Sequence, residues 1–397
     1  MDNITKIINK PFSCSCGRVH EVSIGSVSLD YDLEAIDEAC LKYFEGPHIL
    51  VVSDNTTHEI HGRLITDVLK RKGFKVVNCL FQDKKVLPDE RSLGTLLLSS
   101  SNKLQGVIAV GSGTITDLTR YVSARLGIPF LSVPTAPSMD GYASGVSSLI
   151  AGGKKTTFQG NTAEAILGNI NIIAEAPLKM VQAGFGDIMG KKISVCDWIL
   201  SHTLRDEYLC PYTLDLVESA ADGCIERAAD IYIREPQAIQ YLMNALLLSG
   251  IAISIVGDSR PASGTEHLLA HYLEGAYLRQ GREPIAHGIA VAVGTLCAGL
   301  LYDTLLLSEE WRDQGQSAEI REALGSRLPV PDEIKKRLEE IGLSCHPMDY
   351  GIDRELLREA LLQSRFTRQR YTILSYAAEI GALESVTEKV LNTLCSA

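Results

Sequence analysis

Apolar and polar positions follow two different rhythms along this chain. In the first part, short apolar runs are separated by segments of helical period. "HILVVSD" (48–54), "FKVVNCLF" (74–81), "GVIAVG" (106–111) and "IPFLSVP" (128–134) are runs of strand length. Near-continuous apolar runs of this kind predict strands buried on both faces of a parallel sheet. Between them the period is helical. Thr56 and Glu59 form a capping-box pattern, Ile60, Leu64 and Val68 recur on one face, and Gly73 sits just past the end. Asp89 to Leu98 and Thr114 to Leu126 read as the next helices, and "AILGNINII" (165–173) as a last strand. Alternation of this type predicts an α/β, Rossmann-like layer of parallel strands with helices on both faces.

From about Ala176 the strand rhythm stops. Val217, Ala220, Ala221, Cys224 and Ala228 mark one helical stripe, and 236–256, 265–279, 288–305, 332–342 and 353–366 also read as helices. The expected organisation is therefore an α/β domain over 1–176 followed by an all-helical domain over 177–397. A length of 397 residues suits two cores better than one.

Composition narrows the function classes. The net charge of −11 offers no broad surface for neutralising phosphates, which argues against nucleic acid or an anionic membrane as partner. No basic segment leads into an apolar one at the start, and no apolar run reads as long enough to span a bilayer, so a cytoplasmic protein without membrane insertion is expected. The ten cysteines are scattered apart from "CSCGRVH", with Cys14, Cys16 and His20. Zinc sites usually use CxxC spacing and a second ligand pair; CxC instead places both thiols on one face of a strand, as a buried pair.

Two segments carry candidate chemistry. In "VIAVGSGTITD", Gly111 and Gly113 stand where a buried strand gives way to a helix, with Ser112 and Thr114 beside them. Such a turn can cradle a phosphate on the N–H groups of the first helical turn, although Thr116 replaces the third glycine of the usual dinucleotide fingerprint. Asp54, at the end of the first long strand, can bind ribose hydroxyls or cap the next helix. The second segment is "SGTEHLLAHYLEGAYLRQGREPIAHG". Ser263 and Glu266 suggest a helix start, His267 and His271 share a helix face, and His287 opens the next element. A divalent metal could take His267 with either of the other two, and Asp187, read as following a glycine-rich turn, could add a carboxylate.

The strings "GSGTITD", "TAPSMDGYAS", "AGFGD", "SGTEHLLAH" and "HG", in this order, resemble the superfamily of iron-dependent alcohol dehydrogenases, glycerol dehydrogenases and dehydroquinate synthases. "PTAPSMDGYAS" and "RPASGTEHLLAH" are most similar to its sn-glycerol-1-phosphate dehydrogenases, particularly the bacterial branch. The resemblance implies a cleft active site and NAD or NADP bound by Asp54, Gly111, Ser112, Gly113, Thr114, Ile115, Thr135, Ala136, Pro137, Ser138 and Ser144. It implies one divalent ion, nickel first and zinc second, on Asp187, His267 and His287. It also implies substrate contacts from Asp140, Asp187 and His271, with His271 and Asp140 as the catalytic pair. The implied reaction reduces dihydroxyacetone phosphate to sn-glycerol 1-phosphate for glycerophospholipid-type synthesis, in a homodimer. Glycerol dehydrogenase is the alternative and a dehydroquinate synthase-type lyase a more distant one. The substrate phosphate would need a cation, for which Lys154, Lys155, Lys191, Lys192, Arg260 and Arg282 are candidates.

Overall fold

Each apolar run of the first half forms a strand of one parallel sheet. The computed structural model describes residues 2–312 and 314–395. In chain order the strands are β1 (Phe12–Ser13), β2 (Val19–His20), β3 (Ser26–Ser28), β4 (His48–Asp54), β5 (Lys75–Phe81), β6 (Gly106–Gly111), β7 (Phe130–Pro134), β8 (Val146–Ala151), β9 (Lys154–Gln159) and β10 (Ala165–Leu167). Six of them make the sheet β3-β10-β7-β6-β4-β5, parallel throughout, while β1/β2 and β8/β9 are antiparallel hairpins. Chain direction in the sheet reverses at β4. The chain steps outward from it to β5, then returns to its other side with β6, and β7 and β10 follow. The carboxyl ends of β4 and β6 therefore flank a topological switch point, where open α/β sheets bind their ligands.

Several expectations need correction. Only Ala165–Leu167 of the segment 165–173 is a strand; Asn169 then caps a short helix, Ile170–Ala174. The edge strand β3 and the β8/β9 hairpin have no clear apolar signature, because most of their positions are partly buried or exposed. The helix after β4 is capped by Asp54 rather than Thr56. Asp54 Oδ1 accepts the Thr57 N–H at 2.8 Å, and Thr57 Oγ1 accepts the Asp54 N–H at 3.1 Å. A π-helical stretch, His58–Gly62, then shifts the phase by a residue. In consequence Ile60 is exposed, and Ile65, Val68 and Leu69 face the core.

The described residues fall into two units. One comprises those within 1–13, 19–181 and 234–255; the other comprises those within 14–18, 182–233 and 256–397. The helix Pro236–Val256 thus belongs with the sheet, whereas a single division after residue 176 would place it with the helices. Pro236–Val256 and His287–Leu306 are also long and apolar enough to cross a membrane, each with a mean hydropathy of 1.8, contrary to the reading of the bare sequence. Most of each helix is buried inside the protein, as core helices are.

Three helices of the second unit approach at backbone distance. A Cβ added to Gly288 would lie 1.7 Å from the Ala183 carbonyl oxygen, and one on Gly186 would lie 2.2 Å from that of Gly288. On Gly294 it would meet the Glu266 carbonyl at 2.4 Å. Glycine is required here by close approach and not by backbone angle. "AGFGD" is accordingly part of the helix Leu178–Met189, not a turn preceding Asp187.

Candidate metal centre and nucleotide turn

Those glycine crossings bring three helices together at Asp187, His267 and His287. Asp187 lies near the end of Leu178–Met189, His267 in the first turn of Thr265–Arg279, and His287 at the first position of His287–Leu306. One ligand atom from each lies within 4.8 Å of the other two. Asp187 Oδ1 is 3.5 Å from His267 Nε2, and the rings of His267 and His287 are 5.3 Å apart. Oxygen and nitrogen ligands about 2.1 Å from a shared ion at a tetrahedral angle are separated by about 3.4 Å, so the spacing fits a bound cation.

The orientation of the rings fits as well. His267 Nδ1 donates to Glu266 Oε1 at 2.7 Å, and His287 Nδ1 donates to Glu274 Oε1 at 3.1 Å. A carboxylate accepts and cannot donate, so each Nδ1 carries the proton and each Nε2 is left as the ligand atom. Burial alone would raise the Asp187 carboxyl. The Lys191 ammonium, 2.8 Å away, with His267 and His287, instead holds it well below the usual carboxylate range. Burial lowers His267, but the bonds from Asp187 and Glu266 outweigh it and leave its pKa raised.

Glu274 was not legible as a functional residue, yet it serves two rings. Its Oε2 accepts from His271 Nδ1 at 3.1 Å while Oε1 holds His287. His271 and His287 stack with ring centroids 5.3 Å apart. His271 Nε2 in turn faces Arg368, whose guanidinium donates to it at 3.1 Å. Glu274→Gln keeps the shape but leaves one oxygen for two donors. Its affinity for metal, measured by competition with a chelator, should fall about 10–100-fold.

The start of the histidine helix also differs from expectation. Its N-cap is Gly264, not Ser263, and Asp197 supplies the missing acceptor by taking the Thr265 N–H at 2.6 Å. Glu266 does reach back, accepting the Gly264 N–H at 2.7 Å with the oxygen that holds His267. Burial, and then the charge of Glu266, push the Asp197 carboxyl up to about 6.

In the first unit the structure gathers the other predicted residues around the carboxyl ends of β4, β6 and β7. Ser112 is the N-cap of Gly113–Leu126, and Thr114 and Ile115 fill its first turn. The glycines of this turn are again set by contact. A Cβ on Gly111 would meet Ile115 at 2.8 Å, and one on Gly113 would meet Met139 Sδ at 2.5 Å. The Thr135 N–H donates to the Gly111 carbonyl at 3.2 Å, which joins 135–138 to the turn. Tyr142 Oη donates to the Ala136 carbonyl at 2.7 Å and is 3.3 Å from Ser138 Oγ. Pro137 lies between them, and Ser144 Oγ donates to the carbonyls of Gly141 and Val146. Asp140 Oδ2 accepts from Ser249 Oγ at 2.8 Å, and the Asp140 carbonyl oxygen lies 2.4 Å from where Gly250 would carry a Cβ. The buried Arg120 binds the carbonyls of Gly141, Tyr142 and Val146, with Asp117 as its counter-ion at 2.6 Å. This support was not visible in the sequence, because it comes from residues with no motif of their own.

The candidate phosphate cations are differently placed. Arg260 is buried against Glu207 and the Tyr371 carbonyl, Lys192 pairs with Asp222, and Arg282 binds the Gly351 carbonyl. Lys154 and Lys155 lie on β9 of the first unit. Lys191 joins the histidine group through Asp187 and donates to the Ala262 carbonyl at 3.0 Å. The cation set against His271 is Arg368, which sequence reasoning did not single out.

Comparison with known proteins bears on the fold and the family. Residues 34–177 match the iron-containing alcohol dehydrogenase family. A glycerol-1-phosphate dehydrogenase [NAD(P)+] of Halalkalibacterium halodurans is 34% identical over 380 residues, covering 91% of this chain and 94% of its own. That of Pyrococcus furiosus is 33% identical, covering 86% and 89%. Among solved structures, a probable glycerol dehydrogenase from Sinorhizobium meliloti superposes with a TM-score of 0.68 at 17% identity, over 94% of this chain and 98% of its own. The structural likeness establishes the fold. The sequence identity, extending over nearly all of the chain, goes further and makes it a member of the glycerol-1-phosphate dehydrogenase family.

Proposed function

We propose that the protein reduces dihydroxyacetone phosphate with NADH or NADPH to sn-glycerol 1-phosphate, reversibly, for glycerophospholipid-type synthesis. The observation that carries the reading is the convergence of Asp187, His267 and His287, with both imidazoles turned by buried glutamates to present Nε2. A divalent cation on those three groups supplies Lewis-acid polarisation of the substrate's C2 oxygen, and the nicotinamide supplies or accepts the hydride. The donor set suits nickel, zinc or iron alike. From the resemblance to the bacterial branch, nickel is our first choice and zinc the second.

The chain's own residues divide the remaining work. Asp54 at the end of β4 and the turn Gly111–Ser112–Gly113–Thr114–Ile115 at the end of β6 would hold the ribose and the pyrophosphate. Thr135, Ala136, Pro137, Ser138 and Ser144 would line the nicotinamide side, and Asp140 would contact the substrate. His271 is oriented by Glu274 and would deliver or remove the proton on the C2 oxygen, work that suits an imidazole near neutral pH. Arg368, against His271 Nε2, would bind the substrate phosphate by charge-assisted hydrogen bonds.

The test is nicotinamide consumption with dihydroxyacetone phosphate, repeated over several added metals and scored for product handedness. The phosphorylated ketone should be the strongly preferred substrate. Equal or better turnover of dihydroxyacetone would instead assign a glycerol dehydrogenase. In the same assay Arg368→Met should raise KM for the phosphorylated ketone about tenfold to a hundredfold, the size of a lost charged hydrogen bond. Turnover of the unphosphorylated ketone should change little. The same reading expects a homodimer, which light scattering of the purified protein would check, located in the cytoplasm.

A further inference from the structure

We propose a second metal site, a structural zinc held within the second unit by the thiolates of Cys14, Cys16 and Cys210. It is independent of the dehydrogenase reading and uses none of its residues. The CxC pair was expected on one face of a strand. The structure places it instead in the turn between β1 and β2, where the Cys14 N–H donates to the Arg18 carbonyl and Gly17 adopts a left-handed φ of 83°. Side chains leaving a tight turn can converge, whereas those on one strand face point in parallel. The third thiol comes from nearly two hundred residues away. Cys210 opens the helix Pro211–Ile225, and its sulfur lies 3.6 Å from that of Cys14.

That distance is informative. A disulfide bond is about 2.05 Å long, so these sulfurs are not bonded to each other. Two thiolates on one tetrahedral zinc, each about 2.3 Å from it, are separated by about 3.8 Å. Cys16 is also engaged: Tyr208 Oη donates to its sulfur at 3.2 Å, and the Arg18 guanidinium lies 3.4 Å from the centre of the Tyr208 ring. A hydroxyl donor and a nearby guanidinium are what an anionic, thiolate-rich centre requires around it. Three thiolates on one ion are the donors of structural zinc sites, in contrast with the histidine- and carboxylate-rich sets of open catalytic ones. The soft thiolates suit zinc, whereas the Asp187 centre offers only oxygen and nitrogen donors.

The experiment counts metal in the full chain purified under reducing conditions. His267→Ala, which disables the other centre, should retain about one zinc per chain. Adding Cys16→Ser or Cys210→Ser should remove it. Cobalt in the His267→Ala chain should give the intense near-ultraviolet absorption of thiolate-to-cobalt charge transfer. A metal-free His267→Ala chain, a cobalt adduct without thiolate bands, or a Cys14–Cys210 disulfide in the isolated protein would each overturn the proposal. If the serine variants fail to fold, the metal count and the cobalt spectrum of the His267→Ala chain still decide it.

Discussion

His267→Ala is expected to abolish metal retention and activity together, with kcat/KM falling by about a thousandfold or more, the loss of several kcal/mol of charge stabilisation. The substitution removes the nitrogen that faces Asp187 and leaves the buried Glu266 without the ring it orients. Asp187 keeps Lys191, which neutralises the carboxylate without offering an ion any ligand, and the ion loses one of its three protein ligands. His271→Ala is the matched comparison. Its ring contacts Glu274 and Arg368, so the metal should stay bound while kcat falls by about 10²–10⁴, the usual contribution of a positioned acid–base group. Elemental analysis beside steady-state kinetics separates the two. Equal metal loss in both variants would show that His271 is itself a ligand and that the roles are wrongly divided. Adding a chelator to the wild-type enzyme should reproduce the His267→Ala kinetics, and a divalent ion should reverse it.

Gly288→Ala is expected to destabilise the fold by about 3 kcal/mol, and to lose metal although no ligand is changed. A single methyl is a small addition, but here it would stand 1.7 Å from the Ala183 carbonyl oxygen, which is helical backbone, as is the Cα that fixes the methyl. No rotamer can relieve that clash. The two helices must separate by more than an ångström, which carries His287 away from Asp187. Gly94→Ala is the control, since nothing lies within 4 Å of the added atom and alanine is the better helix former. Denaturant melts should place Gly94→Ala at or slightly above wild type and Gly288→Ala far below. A Gly288→Ala chain with wild-type stability and full metal content would mean that this crossing does not position the site.

What the sequence disclosed depended on the range of the interaction responsible. Strands such as His48–Asp54 announce themselves because burial on both faces demands an unbroken apolar run, and the glycine turn because a strand must end there. Ligand types were legible for the same local reason: few residues can bind a cation, and His267, His271 and His287 fall close together. Their orientation was not legible. Glu274 is an unremarkable acid in its helix until folding sets one oxygen on each of two rings, and Arg368 lies about a hundred residues beyond the histidine it faces. The Cys14–Cys210 approach was hidden in the same way, since the partner thiol has no neighbouring motif. The phase error at Ile60 had a different origin, a π-helical residue that no periodicity analysis of a regular helix includes.

The carbonyl-to-glycine contacts between Leu178–Met189 and His287–Leu306 also bear on ion choice. Ordinary helix pairs are separated by a layer of side chains that can shift rotamer to suit a wider or narrower guest. Here peptide rests on peptide, and that cushion is missing. The gap between the Asp187 carboxylate and the His287 imidazole is therefore inherited from the rigid main chain. Ionic radius should accordingly be sensed at this site as a steep penalty, which donor softness cannot offset.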